Sequence, residues 1–279
     1  INKAHALQPN NEDIIELQRG IERQHASNVY LDGEWRRLGQ SDMTISTIGG
    51  SYDVNENAQV GIEVQNNNLD SQSIRLSDGT QGSFGEDSQR GQIFLRYFND
   101  EGSQSQVSLF GNNDTAGVGA YHSFVNRLGF TNLGVEFRRP NWEFVEGIID
   151  DATRDRVEVG HRYTPNDKTI ITGEAGLNNY NTKYDDNLSS SASLSGSISY
   201  RVREAPYVAV GYGLDAEYEM SEENDRDANG IPFQRFPLDS REVHSLNVLG
   251  SYDFDENTNA EGLMSYGFER INGDSGPSV

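Results

Sequence analysis

The sequence predicts an all-β fold: a transmembrane, antiparallel up-and-down β-barrel of about 14–16 strands, preceded by a short α-helical segment. Three observations predict it. Apolar and polar residues alternate strictly along many segments, those segments run roughly 9–13 residues, and the links between them are alternately short and long. Composition narrows the field first. The chain has 279 residues with 44 Asp+Glu against 22 Lys+Arg, a net charge of −22, and only 34% apolar residues; its mean hydropathy is −0.71. The absence of cysteine excludes a disulfide scaffold, a thiolate metal site and cysteine catalysis. So negative a chain is a poor partner for nucleic acid, and it contains no apolar run long enough for a transmembrane helix. Disorder, an acidic soluble β protein and a membrane barrel remain. Disorder fits poorly, because aromatics make up 10% of the chain, there are 29 Gly against 7 Pro, and the apolar residues are periodic.

The opening segment is helical in character. Asn11 is placed to cap a helix whose first turn holds Glu12 and Asp13 and whose stripe is Ile14, Ile15, Leu17 and Ile21. From Asn28 the period becomes two. Val29, Leu31 and Trp35 alternate with Tyr30, Asp32, Glu34 and Arg36; Ala58, Val60, Ile62 and Val64 alternate with Gln59, Gly61, Glu63 and Gln65. Leu133, Val135 and Phe137 then oppose Glu136 and Arg138, and Val157, Val159 and Tyr163 oppose Arg156, Glu158 and Arg162. The clearest case interleaves Ala192, Leu194, Gly196, Ile198 and Tyr200 with serines and Arg201. Val208 to Tyr218 and Ala260 to Phe268 repeat the pattern. Each strand therefore has one apolar and one polar face.

Links decide between a soluble sandwich and a barrel. The expected short ones are Asn55 to Asn57, Asn99 to Ser103, Val125 to Gly129, Pro165 to Asp167, Arg203 to Pro206 and Asp255 to Thr258. The expected long loops are Asn68 to Gln89, Pro140 to Asp155, Asn181 to Leu188 and Glu219 to Arg241, with brief links at Gly39 and Asn112. Short turns at one end and long loops at the other are the outer-membrane pattern. Tyr52, Tyr97, Phe98, Phe124, Phe130, Tyr163, Tyr200, Tyr207, Tyr252 and Phe254 lie beside the short turns, where they would ring one membrane interface. The strands read through Ile271 make an odd count, so at least one closing strand is expected to be missing or misread, and 272–277 reads as loop. Trp142 to Ile149 fits either a helix folded into the pore or another strand.

No catalytic constellation emerges, and the chain is not expected to be an enzyme or to use a cofactor. Gly273-Asp274-Ser275-Gly276-Pro277 resembles a serine-protease nucleophile motif but lacks its second consecutive glycine and a His–Asp pair. Asp225, Asp227 and Asn229-Gly230 match half a calcium loop, with Phe236 where the bidentate Glu should stand. The histidines, His5, His25, His122, His161 and His244, are scattered. What recurs is charge on the polar faces. The expected lumen carries Asp32, Glu34, Glu63, Glu136, Glu158, Glu174, Asp215, Glu217, Glu261 and Glu269, with Arg36, Arg96, Arg138, Arg156, Arg162 and Arg201. Such a wall holds a negative potential and favours cations.

Ala4, Leu7 and Pro9, followed by the helix to Arg23 and the strand pattern after Asn28, resemble exopolysaccharide export porins of the Pel, poly-N-acetylglucosamine and cellulose systems. Of these the PelB-like family is the nearest in character. The resemblance implies a periplasmic, tetratricopeptide-like end over 1–26 and an outer-membrane barrel over 27–279 in a Gram-negative bacterium. It also implies export of an exopolysaccharide, a cationic aminosugar polymer, past the lumen residues above. Its partners would be the periplasmic repeat region of the same chain, a ring of PelC-like lipoproteins, and outer-membrane lipids. Two alternatives stand beside it: a general or sugar-selective diffusion porin, and an acidic extracellular adhesin or calcium-dependent β domain.

Overall fold

Strands of the main sheet pair in chain order in antiparallel ladders, the topology of an up-and-down meander, with one separate hairpin inserted between two of them. The computed structural model describes residues 27–279 apart from 39, 77–78, 100–101, 183–184, 227–228, 235, 237, 256–257, 272, 274 and 279. The helical region expected over 1–26 lies outside the described residues. The strands are β1 (Asn28–Leu38), β2 (Ser41–Asn55), β3 (Ala58–Arg75), β4 (Gln81–Phe98), β5 (Gln104–Asn112), β6 (Ala116–Asn126), β7 (Gly129–Pro140), β8 (Thr153–Asn166) and β9 (Thr169–Asn181). They continue with β10 (Ser189–Arg203), β11 (Tyr207–Glu222), β14 (Arg241–Asp255), β15 (Thr258–Glu269) and β16 (Ser275–Ser278). A separate small hairpin pairs β12 (Asn224–Arg226) with β13 (Pro232–Gln234). The main sheet has fourteen strands in the order β1 to β11, then β14, β15 and β16. Two sequence expectations change here. Residues 275–278 are the fourteenth strand rather than loop, and the loop expected over 68–89 is mostly ladder, because β3 and β4 run eighteen residues each.

Four of the short turns share a device. Asn55, Asn99, Asn126 and Asn166 each open one, and each side-chain oxygen accepts a backbone N–H two to four residues on. Asparagine supplies that bond itself, so the chain reverses without a long link. Asn112 does the same for the brief β5–β6 link at the other end.

The two faces differ as the alternation requires. Ile48, Ile62, Leu109, Leu133, Ile198 and Leu246 point outward and stay exposed, Leu246 at 67%. Gln59, Asn67, Ser108, Glu136, Asn178 and Ser191 occupy the other face and are buried. The sheet curls around that polar face: Arg75, at the end of β3, lies over the ring of Phe233 in β13. Glycines permit close approach on this inner face. A Cβ on Gly61 would overlap the ring of Phe94 on the paired strand, and one on Gly49 would overlap Tyr30.

Aromatics form bands at both ends of the outer face. Tyr52, Tyr97, Tyr163, Tyr200 and Tyr252 project outward beside the short turns, and Trp35, Phe137, Tyr218 and Phe268 do so toward the other end. Phe98, Phe130 and Tyr207, expected in the first band, sit in the register of the inner face instead. The spacing between bands is constant. It is eight residues from Thr44, opposite Trp35, to Tyr52, and eight from Ala192, opposite Tyr218, to Tyr200. From His244, opposite Phe268, to Tyr252 it is eight again. Eight residues rise about 27 Å along a strand, or roughly 20 Å across a bilayer at a tilt of about 40°. That is close to the apolar height of outer-membrane barrels, about 25 Å.

Candidate functional site: a plugged polar lumen

The β7–β8 link folds inward. Residues 141–152 carry a single helical turn, α1 (Val145–Ile149), which resolves the two readings of Trp142 to Ile149 in favour of a helix inside the curl. Trp142, Val145 and Ile148 bury themselves against Met43, Ile45, Leu69 and Ile74 of β2 and β3. These wall positions face inward yet are apolar, which breaks the polar rule only where the link docks. On its other side Phe144 meets Tyr180 and Phe236 edge-on, at 5.8 and 6.5 Å between centroids. Phe236 belongs to the β13–β14 segment, so two of the long loops meet inside the curl. The Phe236 that spoils the calcium half-loop is thus a core residue of this plug; Asp227 of that half-loop lies outside the described residues.

Polar contacts latch the plug to the wall. The Arg90 guanidinium stacks over Trp142 at 4.4 Å and donates to the Pro140 carbonyl and to Gln65. Arg154 pairs with Glu143 of the plug at 2.6 Å and approaches Glu136 at 3.7 Å. Asn141, Asp150 and Asn67 are buried in the same seam. Burial raises the Glu146 carboxyl above the usual range, with Asp150 adding to the rise and Arg75 opposing it. Above the plug, on the long-loop side, lies a cavity of about 590 Å³ bordered by Ser41, Arg75, Glu146, Phe233 and Arg241.

Below it the wall is a ladder of acids and arginines. Glu136 accepts from Tyr121 and pairs with Arg139. Arg156 bridges Glu158 and Glu174, the latter at 2.7 Å, and also donates to Asn178. Tyr180 and Ser191 both donate to Glu217, at 2.8 and 2.6 Å, and Arg241 pairs with Asp215 at 3.2 Å. Tyr30 donates to Glu63, Arg36 pairs with Glu34, and Arg96 spans Gln59 and Gln106. Asp32, Glu34 and Arg36 hold inner register on the edge strand β1, and Arg162 and Glu261 hold it on β8 and β15.

Three expected lumen residues go elsewhere. A bulge between Glu136 and Arg139 puts Arg138 at φ 51°, exposed and paired with Asp186, so Arg139 takes the inward place. Arg201 stays at the short-turn rim near Asp167 and Glu204. The Glu269 carboxylate accepts the backbone N–H groups of Glu242 and Ile271. Conversely, Arg90, Arg139, Arg154, Tyr121 and Tyr180 were not among the expected residues. Period two cannot foresee a bulge, and Arg154 fell within an expected loop. A further polar group stands on the outer face at the far aromatic band, where Glu242 accepts from Tyr218, His244 and Arg270, and Tyr212 bonds His244. Among the described residues no group of acids and histidines is arranged to hold a metal ion.

No family model matches the sequence, and no curated protein does. A solved structure, the CymD monoaromatic hydrocarbon channel, is similar in broad shape. Its TM-score is 0.41 at 10% identity, over 88% of this chain and 74% of that one.

Proposed function

We propose that this chain forms a gated pore in the outer membrane of a Gram-negative bacterium, passing small hydrophilic solutes with a preference for cations. The observation that carries the reading is the plug over residues 141–152. It is wedged between the β2–β3 wall and the Tyr180–Phe236 pair, with a cavity on one side and a charged wall on the other. The constant spacing of the aromatic bands and the apolar outer face support the membrane setting. Cation preference follows from the acids of wall and plug taken together, Glu143, Glu146 and Asp150 adding to a wall whose own acids and arginines are nearly balanced, so that paired charges set a field rather than a tight site.

A second reading is export of a cationic aminosugar polymer, with upstream repeats and a lipoprotein ring as partners. The run of acids and arginines from Glu136 to Glu217 favours it, since many weak sites let a chain slide. It requires the plug to leave the lumen altogether.

The test is planar-bilayer conductance of the detergent-folded chain beside a version whose residues 143–149 are replaced by a short Gly-Ser link. The gated-pore reading expects small, cation-selective currents that rise when the plug is removed. One-sided block by an aminosugar oligomer in the plug-less chain would favour the polymer. Solubility in plain buffer with no insertion would sink both and promote the adhesin.

A further inference from the structure

The inner wall below the plug holds a recess of about 270 Å³, bordered by Gln92, Gln104, Gln106, Tyr121, Ser123 and Arg139. Register places all of these on the inward face of four successive strands, from the short-turn rim at Gln104 and Ser123, past Gln106 and Tyr121, to Gln92 and Arg139 nearer the long loops. The lining is amide and hydroxyl, with one phenol ring and one guanidinium. Its charge is balanced, because Arg139 is paired with Glu136. Some lining groups are spent: Gln106 accepts from Arg96 and donates to Ser108, and Tyr121 donates to Glu136. Others are not. The side chains of Gln92, Gln104 and Ser123 make no hydrogen bond to described residues, although each is only partly exposed.

Resting on the pore reading above, we propose that this recess is a subsite for a neutral hexose. Gln104 and Ser123 face each other across the β5–β6 ladder while Gln92 stands six residues along β4 from the partner of Gln104, so the two free amides, each able to donate and accept, suit hydroxyls at opposite ends of a pyranose. The Tyr121 ring supplies an apolar surface for the C–H face of the sugar. The volume equals that of about nine waters, which suits one sugar unit. A free cation gains nothing from a recess with Arg139 at its edge. A free anion meets Glu136 and Glu158 in the same wall. Neutral and polyhydroxylated is the chemistry left. The short-turn end gives access whether or not the plug is seated.

The experiment is calorimetric titration of the detergent-folded chain with glucose, with sodium benzoate as a non-sugar comparison. The expected result is weak, saturable glucose binding that falls about tenfold in Gln92→Ala/Gln104→Ala, which removes two hydrogen-bonding groups. Ser123→Leu, which fills the recess without removing either amide, should abolish binding. Both variants should keep the wild-type circular dichroism and heat resistance. No glucose binding in the folded wild type, equal binding in both variants, or benzoate binding that the variants weaken instead would overturn the proposal. Conductance of the same preparation reports on the pore separately, so loss of one reading is distinguishable from loss of the other.

Discussion

Trp142 is the residue through which the plug is most easily loosened. It is 4% exposed, packed among Met43, Ile45, Leu69 and Ile74, and capped by Arg90. Truncating a buried Trp to Ala costs about 3–5 kcal/mol, and loss of the cation–π contact adds up to about 2 kcal/mol when that contact is desolvated. The main-chain ladders of the wall do not pass through residues 141–152, so this cost falls on plug docking rather than on the barrel. At about 1.4 kcal/mol per tenfold, Trp142→Ala should raise the undocked population by roughly a hundredfold or more. Single-channel recording should show long, large openings where the wild type shows brief or small ones. The barrel's heat resistance on gels should stay within a few degrees of wild type. Unchanged open probability together with an intact barrel would refute the claim that this segment closes the pore.

Other perturbations separate wall from plug. Glu136→Ala strips the carboxylate from Tyr121, Arg139 and Arg154, and leaves Arg154, 13% exposed, short of one partner. We expect it to cost about 3 kcal/mol in urea unfolding of the detergent-folded barrel, whereas the exposed Arg138→Ala should cost little. The Glu146 carboxyl gives a pH signature. Its docked-state value is raised by burial, so docking is strongest where the group is protonated and weakens as pH rises through that raised value. Open probability should therefore climb with pH across the acid range, and Glu146→Gln should flatten the climb. A slope that falls with pH, or that survives in Glu146→Gln, would contradict this assignment.

The strands were legible because outward positions face an apolar medium all along their length, which keeps the period at two from Val29 to Phe268. The turns were legible because asparagine recurs where the chain must reverse. Three things were not. The β3–β4 hairpin continues past the aromatic band, where the outer face is polar and only Leu69 and Ile74 interrupt a polar inner one, so Asn66 to Arg75 gave no alternation to read. The apolar inward residues Met43, Ile45 and Leu69 owe their character to a partner more than seventy residues along the chain, which no local pattern can announce. Finally, one inserted residue at the Glu136–Arg139 bulge exchanged Arg138 for Arg139 on the inner wall.

The most direct test of the account asks which face meets lipid. The chain has no cysteine, so single ones can be introduced and labelled cleanly. A polarity-sensitive fluorophore at Ile198→Cys or Val248→Cys, on the outer face between the aromatic bands, should be quenched strongly by lipids brominated on their tails. The same label at Ser197→Cys or Asn247→Cys, one residue away on the inner face, should instead be quenched by aqueous iodide. That alternation is the predicted result. Equal aqueous quenching at all four positions would place the outer face in water and contradict a membrane-spanning barrel.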